Sequence, residues 1–484
     1  MARSDKKSRS AKTSAQGQGI LMHAVIFAAA AVVGISACTM GFFNLLITDG
    51  FYGNIKIAEL LQSAMRSVGS YFPPKSVLIG IFVFIALTFV FCLFLKLSDI
   101  DRFKIKPAVM ITAAGLLLRA VTLVAWNLPQ TSDFLMNYEL SELLTTIPIG
   151  YWGRFLHEMG TQYTGVWSAH MPFILYQAIM LKAGGNLGIA NAIYGTAACI
   201  FTAFTAKALF GNKAFYMALL LTAFNPVMIL FTPVLTNQHI ALMLLTASIW
   251  VFVAFKNVAG SAIAALILVG AQLMRPEMYV PAIAFAVYCI YLRLRFKDKG
   301  ALFRAAVFIL IFAAGVLLCD AAFRSGGLIS GHLYNGNLKY KLCVGLNQAS
   351  GGGWSEGDNE LINDAAAMDR LLSERIGQSG KLRFMLGKVL YQFGSYVYPW
   401  VMDAENHPLF SNMVCRRAAS AYMIIVSLIA SVRLVCEHRK ELMPLCLMIL
   451  GYAAVYALTE IQPRYNYTFI PLITILASDI QLKK

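Results

Sequence analysis

Asp133 lies in LPQTSDFLMNY, residues 128–138, directly after the apolar run 107–127. A carboxylate there is either a solvated loop charge or a base that takes a proton from a reacting hydroxyl. Tyr138 closes the same stretch. Other polar groups recur at the ends of apolar runs. They include Glu139, Glu142, His157, Glu158 and His170, then Asn237, Gln238 and His239 in TNQH (236–239). Arg275 and Glu277 stand in RPE (275–277), Asp320 and Arg324 follow, and EIQPRY (460–465) carries Glu460, Gln462, Arg464 and Tyr465. An arginine can grip a phosphate through two parallel hydrogen bonds. Each group also has a plainer role. Asn237 suits a helix N-cap, Arg275 and Glu277 could be an incidental ion pair, and EIQPRY could be an interfacial anchor.

The elements that must position these groups follow from composition. The chain has 484 residues, 58% hydrophobic and 13% charged, with mean hydropathy +0.66. A soluble chain carries about 25% charged residues. Many apolar runs approach the ~20 residues that cross a bilayer, so an all-α polytopic membrane protein is expected. The spans fall near 20–47, 74–97, 107–127, 186–209, 214–232, 238–255, 259–274, 278–294, 304–323, 413–436, 442–459 and 466–482. That makes about twelve transmembrane helices. The segment ISAC (35–38) has the look of a lipoprotein cleavage site, but the apolar run continues past it, so a retained span is expected.

The net charge of +16 does not point to nucleic acid. Its lysines and arginines sit in short segments between apolar runs: 96–106, 210–213, 255–257, 293–304, 437–441 and the two terminal lysines. Cytoplasmic loops have this bias. Both termini are therefore expected inside, with two long extracytoplasmic loops, 128–185 and 324–412. Interfacial helices are expected at 168–185 and 384–400. The Gly-rich stretch 345–360 is a loop whose glycines serve either close backbone approach to a ligand or plain flexibility. Seven of the nine cysteines lie in apolar runs: Cys38, Cys92, Cys199, Cys289, Cys319, Cys436 and Cys446. Cys343 and Cys415 lie in or beside the second loop and could form one disulfide. No metal-type Cys/His spacing occurs.

By this topology, the candidate residues gather at the outer ends of the spans, and charges deep inside spans are rare. A one-sided site assembled from loops fits an enzyme at a membrane face better than a transporter, whose ionisable groups lie near the midplane.

The order of motifs resembles the GT-C membrane glycosyltransferases, in particular the bacterial protein O-mannosyltransferase and aminoarabinose-transferase branch. It runs SDFLMNY, SAHMPF (168–173), ALFGNKAF (208–215), AFNPVMILFTPV (223–234), RPE and EIQPRY. The likeness covers about 107–482, the expected catalytic core. Residues 1–106 would add a cytoplasmic N-terminus and two extra helices. His170-Met171 replaces the first two residues of the family's Y-P-P motif, and TNQH carries amides and a histidine in place of an acid. Relatives with two adjacent acids in the first loop could hold a divalent metal; this loop has one, Asp133. A divalent metal is the one cofactor to consider.

The resemblance implies transfer of a sugar from a polyprenyl-phosphate donor to an envelope glycan, lipid or protein hydroxyl, with inversion. Asp133 would be the base, and Arg464, with Arg275, would bind the donor phosphate. Tyr138, His170, Asn237, Gln238, His239, Glu277, Glu460 and Tyr465 would line the substrate. The alternatives are a polysaccharide polymerase or ligase, relying on outside arginines and a histidine, and a flippase or transporter of lipid-linked sugars.

Overall fold

The computed structural model describes residues 20–41, 102–126, 128–159, 167–334, 337–360, 362, 364–396, 398, 412–437 and 439–479. The expected span 74–97, the basic N-terminus and the terminal lysines lie outside them. Among the described residues the chain is helical, with no strand. Seven helices among these residues are long and apolar enough to cross a membrane, the architecture of a multi-pass membrane protein.

In chain order the main helices are α1 (Ile20–Met40), α2 (Ile105–Ala125), α3 (Ser132–Thr145), α4 (Met171–Lys182), α5 (Leu187–Phe210) and α6 (Asn212–Ala223). Then come α7 (Gln238–Ala254), α8 (Val258–Met274), α9 (Tyr279–Phe296) and α10 (Lys299–Ser325). The second long loop holds α11 (Asn337–Gly345), α12 (Ala365–Gly377) and α13 (Lys381–Gly394). The chain continues through α14 (Asn412–Cys436), α15 (Met443–Leu458) and α16 (Phe469–Ala477). α5, α7, α8 and α10 pack in series, α9 bridges α10 and α15, and α14 packs on α16. α4, expected at the interface, buries most of its length and packs against α3.

Two expected spans form close to their expected bounds as short helices, and two are broken. α7 and α8 are apolar but have 17 residues each. The run 214–232 breaks after Ala223, because Pro226 has no N–H for the helix ladder. There the Asn225 side chain accepts from Val227 N and Met228 N and starts a new turn. The run 466–482 begins as a tight 3₁₀ segment, Pro463–Thr468, before α16.

The first break explains a charge that the hydropathy pattern hides. Arg119, inside α2, is fully buried. Its Nη1 donates to Ala223 O at 3.2 Å and its Nη2 to Thr222 O at 3.4 Å and Cys199 Sγ at 3.3 Å. Those two carbonyls end α6, where the i+4 helix ladder stops; Thr222 O also accepts from Asn225 N at 3.3 Å. The guanidinium supplies donors that hydrocarbon cannot.

The bundle's two ends differ in chemistry. At one end Arg439 Nη1 donates to Leu209 O at 3.3 Å, and Lys440 lies 4.1 Å from the centre of the Phe296 ring. Three basic turns far apart in sequence thus meet there. The opposite end receives the C-termini of α2, α8, α10 and α15 and the N-terminus of α7.

Candidate functional site

The path to Asp133 is fixed on both sides. Gln130 donates to Leu128 O at 3.1 Å and Pro233 O at 3.2 Å, and accepts from Leu235 N at 2.9 Å. This ties the segment after α2 to the turn before α7. Thr131 is extended, and Ser132 takes a left-handed φ of 53° that starts α3. A non-glycine residue in that region is strained, and here the strain sits one residue before the carboxylate.

Arg464 Nη2 donates to Asp133 Oδ2 at 3.0 Å. The guanidinium lies 4.6 Å from the centre of the Phe134 ring and 5.9 Å from that of Tyr465. Gln238 Nε2 holds the Arg464 carbonyl at 2.6 Å. Burial alone would raise the Asp133 pKa. The Arg464 charge, His170, the Arg464 hydrogen bond and Lys341 outweigh it and hold the carboxyl below its ordinary range.

Tyr465 links this pair to Arg275. The Arg275 guanidinium lies 5.3 Å from the same ring centre, so two cations share one aromatic face or edge region. Arg275 also forms a two-bond pair with Glu277, at 2.9 and 3.0 Å. Glu277 further accepts from Tyr456 OH at 2.7 Å and Thr468 Oγ1 at 2.9 Å. Both carboxylate oxygens are thus occupied within the protein. The pair fastens α8, α15 and the EIQPRY segment together.

His170 flanks the first pair. Its Nδ1 lies 3.3 Å from Asn137 Oδ1. An amide oxygen only accepts, which places the ring proton on Nδ1. Burial pushes the imidazole down to about 4, so it is neutral at pH 7. Asn137 lies one helical turn beyond Asp133 on the same face of α3, and Ser141 continues that face by bonding Gln177 Oε1 at 3.1 Å and Ile174 O at 3.0 Å. Tyr138, five residues from Asp133, is turned ~140° around the helix from it.

The site includes a lysine that motif order did not single out. Lys341, on α11, ion-pairs with the buried Glu460 and lies 5.0 Å from the Trp167 ring centre. Glu460 also accepts from Gln462 Nε2 at 2.8 Å. Burial pulls the Lys341 pKa down, but Glu460 and Tyr465 hold it well above the ordinary lysine value. A lysine in a segment expected outside, against the general charge bias, was the available signal.

The Gly-rich loop serves this placement. Glu460 N donates to Lys341 O at 2.8 Å, and Ile461 N donates to Gly352 O at 2.9 Å. A Cβ on Gly345 would come within 2.3 Å of Leu458 O, and one on Gly352, at φ +79°, within 2.7 Å of Lys388 Cε. These two glycines admit close approach of protein, not ligand. Lys388 Nζ then donates to Gly345 O at 2.5 Å, Thr459 O at 2.7 Å and Ala457 O at 3.2 Å, capping the end of α15. Behind the loop, Asp358 pairs with Arg375 at 2.6 Å and with Asn347 at 2.9 Å. Cys343 is a free, buried thiol that accepts from Arg375, so the disulfide considered from the sequence is not formed; the Cys415 side chain lies outside the described residues.

The other sequence candidates separate. Asn237 donates to Met274 O at 2.7 Å, closing the end of α8. His239 is 1% exposed, between Phe231 O and Tyr467 OH, each at 3.2 Å. That is a packed interior position, away from the charged cluster's exposed side. Glu139, Glu142, His157 and Glu158 are exposed, and Glu158 pairs with Arg154 at 2.7 Å. Asp320 binds Arg324 at 3.0 Å, His332 at 2.8 Å and Leu333 N at 2.7 Å, which folds the turn after α10. Among the described residues, no three His, Cys, Asp or Glu side chains come together as a metal site.

No family model matches the chain, and no curated protein matches it.

Proposed function

We propose that this chain is an extracytoplasmic glycosyltransferase of GT-C type, with about twelve spans and a core over 107–482. It moves a sugar from a polyprenyl-phosphate donor to an envelope hydroxyl. The observation that carries the proposal is the Asp133–Arg464 pair, with Arg275 reached across Tyr465. It places the half-exposed Asp133 carboxylate on Arg464, with the Arg275–Glu277 pair beside it, at one end of a membrane bundle. The basic turns at the other end support a cytoplasmic assignment for that side; on this reading the charged cluster is extracytoplasmic, and the termini are assigned to the cytoplasm from the charge of the sequence.

The arrangement suggests an exchange of partners. Without donor, Arg464 neutralises Asp133. A lipid-linked phosphate entering beside Arg464 competes for the guanidinium and releases the carboxylate. Asp133 is ionised at neutral pH and takes the acceptor proton as the oxygen attacks the anomeric carbon. Direct displacement inverts that centre. The departing phosphate takes the electron pair of the broken C–O bond and gains a negative charge, which Arg464 and the N–H groups of Arg275 not used by Glu277 stabilise as it develops. His170, neutral and fixed by Asn137, offers a hydrogen-bonding edge to the sugar. Tyr138, Asn237 and His239 act on the shape of the site, not at its charged centre.

The test is a purified-protein assay with a panel of polyprenyl-phosphate sugars and envelope acceptors. Release of polyprenyl phosphate with matching sugar transfer supports the proposal; no release from any donor in the panel, with intact folded protein, rejects it. A polysaccharide ligase is the second function to weigh, because neutral His170 lies among Arg464, Lys341 and Arg275. In that case His170 is the base, and His170→Gln removes activity while Asp133→Asn spares it.

A further inference from the structure

A second feature, independent of sugar chemistry, lies along a face of α11 turned ~100–140° from Lys341. Leu342 and Leu346 turn away from the charged cluster and line a groove of about 530 Å³ with Leu372, Met385, Lys381 and Leu458. The volume is in the range of sites that hold a small ligand, yet its walls are almost wholly apolar. Lys381 is the one charged residue in the lining, and its Nζ donates to Ile376 O.

Three observations identify the occupant. Leu458 ends the helical stretch Lys440–Leu458, which contains α15 and is long and apolar enough to span, and it is 44% exposed. The groove is therefore continuous with the lipid-facing side of a span. At its rim, α13 exposes Leu382 (73%), itself part of the lining, and, one turn on, Leu386 (56%). A stripe of this kind on a helix with basic neighbours is what a helix lying in the membrane interface presents. The basic neighbours are Lys381 and the exposed Arg383, which complement a negative headgroup.

We propose that this groove binds one acyl chain of an anionic bilayer phospholipid, with the headgroup at Lys381. The lipid would seat the loop helices α11, α12 and α13 on the membrane beside the charged cluster. The site does not require the proposed transfer reaction.

The test uses the purified full-length protein with phosphatidylglycerol or phosphatidylcholine, and native mass spectrometry to count retained lipid. The wild type retains one phosphatidylglycerol in preference to phosphatidylcholine. Met385→Glu, which places a charge in the groove, lowers retention at least tenfold. Leu372→Trp fills the groove without changing its polarity, and does the same with an unaltered melting temperature, so it decides the matter if Met385→Glu fails to fold. Lys381→Gln keeps a lipid but loses the headgroup preference. The proposal is overturned if Leu372→Trp retains phosphatidylglycerol as the wild type does. It is equally overturned if the groove takes only polyprenyl phosphate, with phosphatidylglycerol failing to compete, or closes against a second copy of the chain.

Discussion

Asp133 and Arg464, 331 residues apart in sequence, meet through a 3.0 Å hydrogen bond between Oδ2 and Nη2. The Asp133 side chain is 37% exposed and that of Arg464 11%. The carboxylate can therefore meet a ligand while the guanidinium beneath it is held by Phe134, Tyr465 and its own backbone bond to Gln238. The geometry fits a pair that opens when an anion binds.

Replacing Arg464 tests the anion side of this pair. Arg464→Lys keeps the charge but loses the planar fork that a phosphate engages. Donor binding is expected to weaken, read as a raised donor KM, while Asp133 stays ionised. Arg464→Met should be worse in both kcat and KM. Equal KM values for wild type and both variants would show that the donor phosphate binds elsewhere.

The pH dependence of stability reports on His170. Its folded pKa, pushed to about 4 by burial, lies below the unfolded value of ~6.5. The unfolded chain therefore binds the extra proton first. Stability from this group is fully present above pH ~6.5 and is lost as pH falls toward 4. Thermal melting across that window should show the decline, and His170→Gln should make it shallower. Asp133, with its pKa lowered, contributes stability above the ordinary carboxylate range that is lost only at lower pH still.

Ser132 carries backbone strain next to the site. A left-handed residue with a side chain costs about 1–2 kcal/mol, and glycine avoids most of that. Ser132→Gly should raise stability by up to ~1 kcal/mol, measured by chemical or thermal unfolding in detergent. A destabilised Ser132→Gly would mean the conformation is held by side-chain bonding that glycine loses.

Arg119 offers a test of the fold. Arg119→Leu leaves Ala223 O without this donor in an apolar setting, and Thr222 O with only the bond from Asn225 N. Each unsatisfied buried group costs about 1–3 kcal/mol. A clear loss of stability is expected, with donor KM unchanged in whatever protein remains folded. Stability equal to wild type would show that the broken end of α6 finds other partners.

Much of the helix pattern was legible because apolar length is written locally. So was the gathering of Asp133, Arg275, Glu277, Glu460 and Arg464 at one end of the bundle, since each follows or precedes an apolar run. Breaks within the runs were readable in part: Asn225-Pro226 and Pro463 mark them, but apolar length masks them. Pairings were not readable. Nothing near Asp133 names Arg464, and nothing near Lys341 names Glu460, because those contacts arise where loops distant in sequence pack together. Asn137 could have been found from helical spacing, which places it, and not Tyr138, on the face of Asp133. Arg119 was hidden by its apolar neighbours, and its partners exist only because another helix breaks beside it.

The most direct test of the central claim is sugar transfer by the purified Asp133→Asn variant from the polyprenyl-phosphate donor that the wild type uses. Asparagine keeps the shape and can still accept a hydrogen bond, but cannot take the acceptor proton. Transfer is expected to fall by about 10²–10⁴-fold, with donor binding no weaker than in the wild type, since Asp133 no longer competes for Arg464, and the protein still folded. Transfer at the wild-type rate would contradict the account.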